Sequence, residues 1–116
     1  MTANEKEGTV LDCCIGKPCG LDDLVEYSGD AIVSKTVMDK AAGTITLFAF
    51  DKGQRLSEHT TPYDAVVQVI DGQATLTIGS EDVAVSAGEI IVMPANVPHA
   101  VAAEARFKML LIMVRS

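Results

Sequence analysis

From Ala31 onward, apolar and polar positions alternate in short runs, and Gly, Pro, Asp or Ser residues punctuate the chain between them. The runs are Ala31–Met38, Thr44–Phe50, Val66–Ile70, Ala74–Ile78, Val83–Val85, Ile90–Met93, His99–Ala102 and Phe107–Val114, rich in β-branched and aliphatic residues. Their close, even spacing predicts an antiparallel sandwich or barrel. In Ala74-Thr75-Leu76-Thr77-Ile78 the alternation is strict, which sends the three apolar residues to the core and both threonines outward. Asp71-Gly72, just before this run, predicts a hairpin turn. After Lys108 the last run is apolar on both faces; a strand buried on both sides of a single antiparallel domain needs a cover, which predicts a homodimer. Glu104, Arg106 and Lys108 read as a solvated hairpin face.

The first thirty residues have a different texture. A polar start over 1–12 gives way to Cys13-Cys14-Ile15-Gly16-Lys17-Pro18-Cys19-Gly20, where Gly and Pro forbid regular helix or central strand. Leu21-Asp22-Asp23-Leu24-Val25-Glu26 carries apolar residues at i, i+3 and i+4, which predicts one or two helical turns ended by Ser28-Gly29-Asp30. Residues 1–30 are therefore expected to be an extension packed on a single barrel domain spanning 31–116.

Composition narrows the function classes. With 116 residues, 48% hydrophobic and 22% charged, the chain suits one folded domain with its own core. No apolar run approaches the length of a membrane span. The polar N-terminus lacks a secretory pattern, so a cytoplasmic location is expected. A net charge of −7 with no Lys/Arg cluster disfavours nucleic acid and anionic lipid. Aromatics at 4% leave few stacking platforms for bases or sugars.

Candidate chemistry gathers at two histidines and three cysteines. Cys13, Cys14 and Cys19 lie close enough along one loop to converge on a soft ion or a redox site, or to be three reduced thiols that are partly buried. They lack a C-x-x-C pair and are one ligand short of a closed zinc site. His59 lies in Gly53-Gln54-Arg55-Leu56-Ser57-Glu58-His59, and His99 ends a second stretch that runs from Gly88 through Pro94.

Gly53, five residues and His59, closed by Gly72, followed by Gly88, five residues, Pro94 and then His99, resemble the two signatures of the cupin family, G-x5-H-x-H-x3,4-E-x6-G and G-x5-P-x-G-x2-H-x3-N. The resemblance implies an all-β fold, an antiparallel double-stranded β-helix or jelly-roll barrel, over about residues 44–114. It also implies a divalent metal (Fe, Mn, Ni or Zn) held inside the barrel by His59 and His99. The chain departs from the signatures at Thr61, Ala65, Asn96 and Ala103, in place of His, Glu, Gly and Asn. Asn tolerates a left-handed backbone, so Asn96 can keep the turn. Strand parity can turn Thr61 and Ala65 inward together with His59, and a bulge after Pro62 could bring Asp64 in as a third ligand.

Thr61, Tyr63, Gln68 and Met93 are candidate pocket residues, with Gln68 either lining the pocket or facing solvent. Three readings follow: a metal-dependent dioxygenase- or isomerase-like enzyme, a metal-free binder of a small-molecule ligand, and a regulatory partner protein that uses the cysteine loop.

Overall fold

The computed structural model describes residues 9–115. Nine strands form two sheets that share one long strand: β1 (Thr9–Val10), β2 (Ile32–Lys40), β3 (Gly43–Phe50), β4 (Arg55–His59), β5 (Asp64–Ile78), β6 (Glu81–Ser86), β7 (Ile90–Met93), β8 (His99–Ala102) and β9 (Phe107–Val114). All pairings are antiparallel. The first half of β5 lies between β9 and β7, and its second half between β6 and β8.

This passage from one sheet to the other depends on Asp71-Gly72, and here the expected hairpin is corrected. The two residues form a bulge within a continuous strand, because Gly72 adopts φ +75° and the pairing with β9 shifts between Val69 and Asp71. An Asp-Gly pair supplies positive φ, which a bulge uses as readily as a turn does.

The interior follows the alternation. Ala65, Val67, Val69, Ala74 and Leu76 of β5 are buried, and Thr77 lies on the outer face, where its hydroxyl donates to Asp82 Oδ1 at 2.7 Å. Phe50 and Phe107, paired across β3 and β9, stack at 4.5 Å in the centre. Residues near 0% exposed, such as these, each contribute roughly 1.5–3 kcal/mol of burial.

Part of the apolar outer face of β9 has a cover from within the chain. Leu24, Val25 and Tyr27 of the N-terminal extension pack with Leu47, Ala49, Ile70 and Leu110 as a second, smaller core. The helical signal at Leu21–Glu26 contracts to a 3₁₀ turn, Asp22–Leu24, which presents these side chains. Lys108, expected on a solvated face, is buried instead: its Nζ donates to the Asp22 carbonyl at 2.7 Å and to Asp22 Oδ1 at 2.9 Å. Tyr27 Oη donates to Asp71 Oδ2 at 2.5 Å, and the ring lies 5.1 Å from the Arg106 guanidinium and 5.0 Å from Lys108 Nζ. Asp51 accepts from Arg106 Nε and from the Asp30 amide, both at 2.7 Å, and the guanidinium foremost holds its carboxyl down to about 2. The extension thus covers the half of β9's outer face around Lys108 and Leu110 and leaves Val114, 47% exposed, at the other end.

Candidate metal site at the barrel mouth

Two short strands bring the histidines together, and a bulge aims one of them. Strands β4 and β8 pair with Leu56 opposite Val101 and His59 opposite His99, so three steps on β4 match two on β8. In a regular strand Leu56 and His59, an odd number of residues apart, would point to opposite faces. The extra residue at Ser57-Glu58 resets the parity, and both side chains line the same cavity. The bulge needed to build the site thus lies before His59, not after Pro62.

The rings meet edge to face, with centroids 4.4 Å apart at 71° and the two Nε2 atoms 3.1 Å apart. His59 Nδ1 is 2.9 Å from the Ser57 carbonyl, and His99 Nδ1 is 3.2 Å from the Val97 carbonyl, in each case the residue two positions earlier. A carbonyl oxygen can only accept, so both Nδ1 atoms carry the proton and donate it. Both Nε2 atoms then present bare lone pairs to each other. Two facing lone pairs at this distance call for a positive charge or Lewis acid between them.

A proton is disfavoured in that position on the His99 side. His99 is 5% exposed, and burial foremost, with the nearby His59 adding to it, lowers its pKa below the ordinary 6.5 although the Val97 carbonyl pulls the other way. A His whose folded pKa is depressed binds its proton less readily than the unfolded chain does. Its contribution to stability is therefore complete above pH 6.5 and lost as pH falls through that value toward the folded pKa. The urea midpoint of metal-free protein is expected to drop on acidification from pH 7.5 to pH 5.5, and His99→Ala is expected to flatten that slope.

The remaining candidates lie elsewhere. Asp64 is exposed, and its Oδ1 accepts the Ala95 amide at 2.8 Å. The Thr61 carbonyl accepts the Asn96 amide at 2.7 Å, while its hydroxyl donates to the Tyr63 carbonyl at 3.0 Å. Asp64 and Thr61 thus hold the 94–97 loop that delivers His99, in which Asn96 adopts the left-handed φ of +66°. Neither lines the cavity, nor does Tyr63, and the third-ligand role expected of Asp64 has no geometry behind it. Gln68 sits between the inward-facing Val67 and Val69, on the face turned away from the cavity. Asp64→Ala is expected to weaken whatever the histidines hold by roughly 10-fold without removing a ligand, the size typical of outer-shell supports; titration against the wild type checks it.

Of the expected pocket residues, Met93 is present. The cavity, about 40 Å³, is lined by His59, His99, Leu56, Ala65, Met93, Val101, Met109, Leu111 and Met113. It has room for about three or four waters at roughly 10–15 Å³ each. Ala65, which stands where the signature has glutamate, leaves an apolar wall there. Met109 and Met113 could have been read from the inward parity of β9; Ser57 and Val97 could not, since they act through main-chain carbonyls. A wider depression of about 450 Å³ lies on the outer face of β4, β8 and β5 and touches neither histidine. Among the described residues, no helix is long and apolar enough to cross a membrane.

The donor set fits a metal ion. Two nitrogens each about 2.0–2.1 Å from one ion stand roughly 2.9–3.4 Å apart for right-angled to tetrahedral coordination. The observed separation of 3.1 Å falls in that range. Metal-binding histidines also typically donate their other N–H to a carbonyl or carboxylate, as both rings do here.

Comparison with known proteins agrees with this frame. A conserved protein of unknown function from Streptococcus pyogenes superposes with a TM-score of 0.83 at 39% identity, over 86% of this chain and 88% of that one. A cupin 2 conserved barrel domain protein from Leptotrichia buccalis superposes with a TM-score of 0.78 at 44% identity, over 80% of this chain and 45% of that one. An uncharacterised protein from Streptomyces coelicolor is 34% identical over 56 residues, 48% of this chain, and the match spans about half (53%) of its length. The family model of the cupin domain matches residues 46–115, and with β5 crossing the two sheets and both histidines at the barrel mouth, the chain belongs to the cupin family.

Proposed function

We propose that this cupin binds one divalent transition-metal ion through Nε2 of His59 and His99 and presents it to a small ligand that enters the adjacent cavity. The observation that carries the reading is the approach of the two Nε2 atoms to 3.1 Å while each Nδ1 lies within hydrogen-bond distance of a main-chain carbonyl. Bound there, the ion would act as a Lewis acid, polarising an oxygen-bearing ligand. His99 anchors it from the buried side, and the exposed His59 closes the mouth. With two protein ligands, coordination positions are left over for water and for the ligand itself.

The cavity sets the size of that ligand. Among the described residues its lining carries no titratable side chain other than the two imidazoles, so the ligand is oriented by the ion and by apolar contact with Met93, Met109 and Met113. A small carboxylic acid or carbonyl compound suits that arrangement, in a dioxygenase- or isomerase-like reaction. A metal-free guest of drug size needs a pocket of about 300 Å³ or more, far above the roughly 40 Å³ here, so a ligand at this site is only a few atoms across.

Titration of chelator-treated protein with Zn²⁺, Ni²⁺, Mn²⁺ and Fe²⁺ tests the reading. One ion per chain is expected, with Ni²⁺ and Zn²⁺ held more tightly than Mn²⁺. Uptake of none of the four would refute it.

A further inference from the structure

The cysteine loop forms a second donor cluster, remote in sequence from the histidines. The ligand atoms of Cys13, Cys14 and Cys19 lie within 4.8 Å of one another, and all three thiols are free. Three sulfurs bound at about 2.3 Å to one ion in a trigonal plane would stand roughly 4 Å apart. The loop therefore needs sub-ångström adjustments to close on an ion, not refolding.

The main chain holds the loop in this shape from several directions. Pairing of Thr9 and Val10 with Asp39 and Met38 fixes its start, and the Leu11 amide donates to the Val37 carbonyl at 2.8 Å. A 3₁₀ turn over Asp12–Cys14 follows, with the Cys14 amide donating to the Leu11 carbonyl at 3.0 Å and the Ile15 amide to the Asp12 carbonyl at 3.1 Å. Gly16, at φ +69°, turns the chain back, and the Cys19 thiol donates to the Cys13 carbonyl at 3.0 Å. Cys13 is exposed, while Cys14 and Cys19 are half-buried, so an ion can reach the sulfurs from solvent.

We infer that Cys13, Cys14 and Cys19 form a three-thiolate site for a soft monovalent d10 cation, Cu(I). The number of donors selects the ion. Among the described residues no His, Asp or Glu joins the three sulfurs, and three thiolates complete a trigonal Cu(I) centre while structural Zn²⁺ wants a fourth ligand. Each thiol that ligates releases its proton to solvent, so copper remains Cu(I) and no electron is transferred.

The test is anaerobic titration of the reduced full-length protein with Cu(I) in competition with bathocuproine disulfonate, at constant pH. The protein is expected to withdraw one equivalent of copper, with a thiolate-to-copper charge-transfer band and loss of thiol-reagent reactivity at all three cysteines. Cys13→Ser, Cys14→Ser and Cys19→Ser should each weaken binding by roughly 100-fold or more, beyond what loss of an outer-shell partner costs, with unchanged far-ultraviolet circular dichroism. His59→Ala should retain the band and the affinity, which separates this site from the one at the barrel mouth. Retention of all copper by the chelator, equal competition by the serine variants, or stronger uptake of Zn²⁺ than of Cu(I) by the same thiols would overturn the inference.

Discussion

Gly72→Ala is expected to be the most damaging single-methyl change in the barrel. A Cβ built at Gly72 lies 2.3 Å from the Arg106 carbonyl oxygen and 3.1 Å from both Cα and Cβ of Phe107. These are mostly backbone atoms of β9, the strand that β5 pairs with on one side, so they cannot swing away as a flexible side-chain tip would. The residue also sits at φ +75°, where an L side chain costs about 1–2 kcal/mol by itself. Displacement of Phe107 would disturb its stack on Phe50 at the centre of the core. The sum is a loss of about 3–5 kcal/mol, a large share of the 5–15 kcal/mol available to a typical domain. Urea unfolding followed by circular dichroism reads it directly. Gly53→Ala makes the contrast: at φ +88° it meets the same backbone penalty but has nothing within 4 Å of its added methyl, so a loss of about 1–2 kcal/mol is expected.

Removal of either imidazole is expected to have the largest effect on binding. The proposed ion has two protein ligands, so His59→Ala or His99→Ala leaves one, and a single imidazole on a protein surface holds a divalent ion barely better than solvent does. Affinity for Ni²⁺ or Zn²⁺ should fall by roughly 100-fold or more in each variant. The two differ in their side effects. His99 is buried, and its loss leaves a void beside Met93 and Val101 together with an unpaired Val97 carbonyl, so His99→Ala should also lower stability by about 1–3 kcal/mol. His59 is exposed and should cost little stability, which makes His59→Ala the cleaner test of the metal. Calorimetric titration beside urea unfolding separates the two contributions.

The fold was largely legible because its signals are local. Strict alternation at Ala74–Ile78, the apolar run at Phe107–Val114 and the glycines at 53, 72 and 88 each report on backbone geometry within a few residues. What escaped were features set by contacts far apart in the chain. Asp71-Gly72 has the same composition whether it turns a hairpin or bulges a strand, and the outcome is decided by β9, more than thirty residues away. Lys108 is charged in any sequence reading; only the Asp22 carbonyl and carboxylate make its burial tolerable. The two-faced apolarity of β9 is met in part from the same chain, by Leu24 and Val25 against Leu110, while Val114 on the same face stays 47% exposed.

The site was half legible. His59 and His99 stand out by type and spacing, and they do meet. Asp64 and Thr61 share the right neighbourhood but serve the loop that carries His99, because a short carboxylate or hydroxyl next to a turn bonds to main-chain amides and carbonyls close by. The bulge at Ser57-Glu58 left no mark in composition, and without it β4 would turn His59 away from the cavity.

Nitrogen-15 NMR of the two imidazoles, recorded on metal-free protein above pH 7 and again after one equivalent of Zn²⁺, tests the central claim most directly. Both rings should begin in the Nδ1–H tautomer, and both Nε2 resonances should move together on addition of the ion while the Nδ1 protons stay in place. An Nε2–H tautomer in either ring that persists unchanged after zinc is added would show that the histidines simply hydrogen-bond to each other, and would contradict the metal site.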